Sequence, residues 1–194
     1  MIAGIILAAG ASSRMGTPKA LLGYCGETFL DRLIRVLGVV CDPTIVVLGY
    51  HAREIRAAAR GPARFVVNPD PARGQLSSLQ TALAEVPGEA EGFLFLPVDC
   101  PAAEPQTMQS IIDHFHSGER PLLVIPRHEG RRGHPVCVRR ELISEFLALP
   151  ADGQAKEVVR RHADRTHYFD TFDAGVLSDI DDPEAYRMLQ ESSR

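Results

Sequence analysis

Short, continuous apolar runs along the chain alternate with longer stretches whose apolar positions recur every three or four residues. Residues 2–7 form an isoleucine-rich run, and Gly10 and a polar loop follow it. A run with no polar face predicts a strand covered on both sides, as in a parallel sheet. Over residues 28–36 the period changes. Phe29, Leu33 and Val36 share a helical face, with Leu30, Ile34 and Leu37 beside them. Further strands are expected at 44–48, 64–67, 92–96, 122–125, 134–138 and 167–169. Helices are expected at 53–60, 77–86, 104–115, 141–149, 154–162 and 183–189, and 128–133 reads as a polar loop. Strands alternating with helices predict an α/β fold: a three-layer sandwich with a mostly parallel sheet and helices on both faces. Ligands in such folds bind beyond the carboxyl ends of the strands. The chain has 194 residues, no repeat and no linker, so one domain over 1–194 is expected.

Composition narrows the function. The formal net charge of -4 argues against an electrostatic nucleic-acid binder. No apolar run approaches the roughly 20 residues of a membrane span. The first residues lack a basic flank and a cleavage pattern, so a cytoplasmic location is expected. Cys25, Cys41, Cys100 and Cys137 show no CxxC spacing, and reduced, mostly buried thiols are expected.

The candidate chemistry follows the first strand. Residues 7–22 read LAAGASSRMGTPKALL. Ala8, Ala9, Gly10 and Ala11 let backbone N–H groups approach an anion closely. Ser12 and Ser13 add hydroxyls, and Arg14 and Lys19 add charge suited to a polyphosphate. Lys19 is one of only two lysines, the other being Lys156. The loop is neither GxxxxGK[ST] nor GxGxxG. Asp99 stands between Pro97 and Pro101 after the strand at 92–96. It reads either as a hard oxygen ligand for Mg²⁺ or as the cap of the next helix.

This loop resembles the signature of the MobA-like nucleotidyltransferases, closest to their molybdenum-cofactor cytidylyltransferase branch. Four further segments match in order: NPDPARGQLSSLQTAL (68–83), LPVDCP (96–101), GHPV (133–136) and DIDDPEAY (179–186). The resemblance implies a Rossmann-like fold of the nucleotide-diphospho-sugar transferase type. It implies transfer of a nucleoside monophosphate from a triphosphate to a phosphorylated acceptor, with release of pyrophosphate. That acceptor would be the terminal phosphate of a molybdopterin-type cofactor, which a molybdenum oxidoreductase would then receive. Ala9, in LAAG rather than LAGG, favours CTP over GTP.

Carried over residue by residue, the resemblance makes Arg14, Lys19 and Asp99 catalytic. Leu7, Ala8, Ala9, Gly10, Ser12, Ser13, Asn68, Gly74, Ser77 and Ser78 would contact the nucleotide. Asp99 and Asp181 would hold Mg²⁺, with Asp179 as the substitute. At least one of Asp179, Asp181 and Asp182 should cap the helix that Pro183 begins. Ser77 and Ser78 could also cap a helix, and Asn68 could make a turn with Pro69. Arg131, Arg132 and His134 are candidates for the acceptor, although a solvated basic loop and a core-edge histidine explain them equally. Three other functions stay open: a nucleotidyltransferase for a sugar- or alcohol-phosphate, a non-catalytic cofactor-insertion chaperone, and an NAD(P)H-dependent reductase.

Overall fold

A computed structural model describes residues 1–192. The strands are β1 (Ile2–Ala8), β2 (Gly23–Tyr24), β3 (Glu27–Thr28), β4 (Thr44–Leu48), β5 (Arg64–Val67), β6 (Gly92–Pro97), β7 (Leu123–His128), β8 (Arg131–Arg132), β9 (Val136–Arg139) and β10 (Thr166–Asp170). The helices are α1 (Phe29–Leu37), α2 (Ala52–Ala58), α3 (Gln75–Leu83), α4 (Pro105–Phe115), α5 (Ile143–Leu147), α6 (Lys156–Arg161) and α7 (Pro183–Glu191).

The main sheet runs β10-β7-β9-β6-β1-β4-β5, and β8 adds to β7. β5, β4, β1 and β6 are parallel neighbours, as are β7 and β10. β9 is antiparallel to both β6 and β7, so it joins the two parallel groups and keeps their carboxyl ends on one edge. This is a Rossmann-like α/β sandwich with a mostly parallel sheet.

The continuous apolar run of β1 is explained by its position in the sheet. Ile2, Ile6 and Ala8 face a core made with α1 and α4. Ala3, Ile5 and Leu7 face a second core made with α3, α5 and α6. All seven residues of β1 are buried. Phe29 at the start of α1 is fully buried, and truncating such a ring typically costs about 3–5 kcal/mol. Thr28 starts α1 by accepting the N–H of Asp31 at 3.0 Å.

Three local features differ from the sequence reading. Residues 128–133 are not an irregular loop. Arg131 and Arg132 pair with His128 and Arg127 in a hairpin whose turn, Glu129–Gly130, has positive φ at both residues. A second hairpin, β2–β3, turns through Cys25–Gly26 in the same way. Helix α3 begins at Gln75, two residues before Ser77, because Gly74 at φ 91° reverses the chain there. The four cysteines are free; Cys41, Cys100 and Cys137 are buried and Cys25 is exposed. Among the described residues, no helix is long and apolar enough to cross a membrane.

Candidate active site

After β1 the chain turns around a cleft of about 270 Å³. Leu7, Ala8, Ala9, Gly10, Ser12, Ser13, Arg14 and Lys19 line one wall. Gly74, Gln75 and Ser78 form a second, and Pro97, Val98, Asp99 and Asp181 close a third. The loop is fastened from within. Ser12 sits in the left-handed region at φ 51°, and its hydroxyl oxygen accepts the Lys19 N–H at 3.0 Å. Gly49 lets neighbouring segments meet, because a Cβ there would lie 2.7 Å from the Ala9 carbonyl oxygen and 2.8 Å from Pro71.

The charged centre joins two distant parts of the chain. Lys19 Nζ donates to Asp99 Oδ2 at 3.0 Å and to Asp181 Oδ1 at 2.6 Å. Arg14 lies 3.7 Å from the other Asp181 oxygen. Burial pulls the Lys19 ammonium down, but its hydrogen bonds and charge attraction to Asp181 and Asp99 outweigh this and hold it above the ordinary lysine value. The Lys19 hydrogen bond holds the Asp181 carboxyl below the usual range. Asp179 is exposed overall. Its carboxyl is pushed up, first by partial desolvation and then by the negative charges of Asp99 and Asp181.

Asp99, Asp179 and Asp181 can each bring one oxygen within 4.8 Å of the others. Hard carboxylate oxygens at such spacing suit Mg²⁺, which binds through one or two carboxylates and keeps several waters. The donor set therefore fits a divalent cation. The capping alternatives separate cleanly. Glu104, not Asp99, stands at the N-cap of α4, and its N–H is taken by Asp173 at 2.9 Å. Asp182 is the cap of α7, accepting from Glu184 and Ala185 at 3.0 and 2.9 Å. Asp181 is left to line the cleft and Asp179 stands beside it outside the lining, and the Ile180 N–H to Asp99 carbonyl bond of 3.0 Å holds both near Asp99.

Other expected residues lie further out. Asn68 and Ser77 do not line the cleft. Asn68 is buried, and its Nδ2 donates to Ser77 Oγ at 2.8 Å and to Ser78 Oγ at 3.0 Å. Its Oδ1 accepts the Asp70 N–H in the turn with Pro69. It thus clamps the start of α3 behind the cleft wall. Arg131, Arg132 and His134 are also outside the cleft. The two arginines are exposed on β8. His134 packs edge-on against Phe95 at 6.2 Å, and burial lowers its pKa against the opposing charge of Asp99. Sequence reasoning missed Gly49 and Ile55, whereas Pro71 and Gln75 lay inside the expected segment 68–83 without being singled out. Only Gly49, a glycine directly after a strand, carried a local signal.

A cleft at the carboxyl edge of a mostly parallel sheet, walled by small residues and charged by one lysine against clustered carboxylates, is the architecture of a nucleotidyltransferase. The comparisons agree. The MobA-like NTP transferase domain matches residues 4–166, and the chain belongs to that family. It is 28% identical over 190 residues to the molybdenum cofactor cytidylyltransferase of Escherichia coli (strain K12), spanning 96% of this chain and 94% of the relative. It is 31% identical over 198 residues to the nicotine blue oxidoreductase of Paenarthrobacter nicotinovorans, spanning 97% and 96%. The crystal structure of Rv0371c from Mycobacterium tuberculosis H37Rv matches with a TM-score of 0.86 at 34% identity, covering 98% of this chain and 97% of that one. A manganese complex of Rv0371c matches at 0.79 and 30% identity, covering 98% of both chains.

Proposed function

We propose that this chain is a Mg²⁺-dependent cytidylyltransferase that moves CMP from CTP to the terminal phosphate of a molybdopterin-type cofactor and releases pyrophosphate. The observation that carries the reading is the Lys19 ammonium held between Asp99 and Asp181 at the mouth of a cleft walled by Ala8, Ala9 and Gly10. Ala9 and the similarity to the E. coli cytidylyltransferase favour cytidine.

In this reading the triphosphate lies along the loop after β1, and its charge is met by Lys19 and Arg14. An acceptor phosphate oxygen attacks the α-phosphorus and forms the new P–O bond. The bond from the α-phosphorus to the bridging oxygen breaks, and its electron pair leaves with pyrophosphate. The acceptor phosphate is already anionic, so no base is needed to remove a proton. Catalysis is then positioning and charge neutralisation, which is what this site offers. Mg²⁺ held by Asp99 with Asp181 or Asp179 would add neutralisation of the phosphate oxygens. Asn68 acts indirectly by fixing Ser78 and the start of α3. The reading treats 1–194 as one domain, places it in the cytoplasm, and has it hand its product to a molybdenum oxidoreductase.

One finding favours a second reading, a reductase: the similarity to nicotine blue oxidoreductase. A single assay separates the two. ATP, CTP, GTP and UTP are each offered with molybdopterin, with sugar- and alcohol-phosphates, and alone, and pyrophosphate is measured. NAD(P)H absorbance is followed in parallel. The proposal expects pyrophosphate with CTP plus molybdopterin. Release with another acceptor would reassign the substrate. NAD(P)H oxidation without pyrophosphate would support the reductase, and binding of nucleotide without either reaction would favour a chaperone.

A further inference from the structure

The sheet register sets a second landmark level with Asp99. Phe93 on β6 pairs with Val138 on β9, Val138 with Leu123 on β7, and Leu123 with Thr166 on β10. These residues form one row across the sheet. Asp99 follows Phe93 by the same number of residues as Phe172 follows Thr166. Each stands two residues beyond the end of its strand, and β6 and β10 point the same way. Three strand spacings separate β6 from β10, which is roughly 14 Å.

Phe172 is fully exposed. Its neighbours in sequence are nonetheless fixed. Thr171 N–H donates to the Arg127 carbonyl at 2.8 Å, and the Thr171 carbonyl lies 3.0 Å from His128 Nδ1. The Asp173 carboxylate accepts from Glu104 N–H, Thr107 Oγ1 and Gly175 N–H at 2.9, 2.6 and 2.8 Å. The ring is thus held out from the core by an anchored backbone. It borders a shallow groove of about 520 Å³ with Arg127, His128, Glu129, Gly130 and Asp170.

The ground between Asp99 and Phe172 carries Arg127, Arg131 and Arg132 beside the carboxylates of Glu129 and Asp170. β10 occupies one side of β7 at Arg127, so β8 lies on the β9 side, towards β6. Arg132 stacks over Tyr168 at 4.7 Å, and Arg127 pairs with Asp170 at 3.1 Å. Arg131 is exposed and pairs with His128 through the backbone, and its side chain has no hydrogen bond or ion pair among the described residues. A guanidinium only donates, so it suits a group rich in carbonyl or ring-nitrogen acceptors.

We propose that Phe172 and Arg131 form the far end of the acceptor site. Phe172 stacks on a planar heteroaromatic ring, and Arg131 donates to acceptors on its edge. The acceptor must then place its reacting phosphate near Asp99 and its ring three strands away, beyond the end of β10. A small sugar-phosphate is too short to use this platform. The inference rests on the nucleotidyl-transfer reading, and it names the residues that select the acceptor.

The test is a fluorescence titration of the full chain with a pterin carrying a phosphate ester on its side chain. CTP binding and thermal midpoint are measured on the same samples. Wild type should quench the pterin saturably. Phe172→Ala should weaken that binding about tenfold, the effect of losing one ring stack, and Phe172→Tyr should restore it. Arg131→Ala should weaken it by roughly threefold to tenfold. CTP affinity should not change in any variant, and glucose 1-phosphate binding should be indifferent to Phe172. Equal pterin affinity in wild type and Phe172→Ala would overturn the proposal. So would wild type that ignores the pterin, the outcome expected if Phe172 instead docks a protein. Failure of the transfer reading is a different result: no CTP binding and no pyrophosphate with any acceptor.

Discussion

The two ends of the carboxyl edge are built in different ways. At the nucleotide end, β1 and its loop supply most of one cleft wall from a single stretch of chain, and several polar groups there already have partners inside the protein. Lys19 has two carboxylates, Ser12 closes the loop, and Asn68 holds two serines. At the end proposed for the acceptor, β7, β8 and the segment after β10 come from separate parts of the chain. There the Arg131 side chain is unpaired among the described residues, and Phe172 faces solvent. The contrast separates two tasks. Neutralising a triphosphate needs charges fixed before the ligand arrives, because reorganisation at the moment of reaction is costly. Choosing an acceptor can be left to exposed side chains whose partners arrive with the ligand.

The sharpest way to break the comparison is at Lys19. Lys19→Ala should keep the fold and cut turnover by about 100- to 1000-fold, as loss of one preorganised donor does. Lys19→Arg should rescue only partly, since a planar fork does not replace a point charge between two carboxylates. Steady-state pyrophosphate release and circular dichroism check both; near-normal turnover in Lys19→Ala would make the two ends alike.

Asn68 tests whether the nucleotide end is rigid from behind. Asn68→Ala leaves Ser77, Ser78 and the Asp70 N–H without their buried partner. A loss of about 1–3 kcal/mol in urea unfolding is expected. CTP affinity should fall with it, and acceptor affinity should not.

Asp179 gives the smallest effect and a pH signature. Its carboxyl is held above the usual value, so in the metal-free protein its ionisation opposes folding. That penalty is absent below the ordinary carboxylate pKa of about 3.9, grows as pH rises through the raised value, and is complete at neutral pH. Asp179→Asn should therefore melt slightly higher than wild type at pH 7, and the advantage should vanish below about pH 3.9. A lower melting point at pH 7 would show that the carboxyl is not repelled by Asp99 and Asp181.

The same contrast explains what could be read from sequence. β1 and α1 were legible because burial on two faces and on one face leave different periods, both present in residues 2–7 and 28–37. The loop was legible because its small residues and charges are contiguous. The meeting of Asp99 with Asp181 has no local signal and was reached only through resemblance, and the pairing of Lys19 with both was not expected. Asp99 was separated from a capping role only in three dimensions, where Asp173 serves α4. The β7–β8 hairpin was missed because Arg131 and Arg132 carry no apolar alternation and its turn is Glu-Gly, a weaker signal than Asn-Gly. Ser77 looked like a helix start, but Gly74 reverses the chain earlier and places both serines inside α3. Phe172 belongs to no periodic pattern, so nothing marked it.

The central claim is that Asp99 works as a charged ligand in the nucleotide end, and one measurement reaches it directly. Mg²⁺-dependent pyrophosphate release from CTP and acceptor is compared for wild type, Asp99→Asn and Asp182→Asn. Asn keeps the size and one acceptor oxygen but loses the charge that holds a cation. Asn also caps a helix as well as Asp does, so Asp182→Asn should be nearly silent. Asp99→Asn should lose most activity while retaining its melting point and most of its CTP affinity. Full activity of Asp99→Asn at low Mg²⁺ would contradict the account.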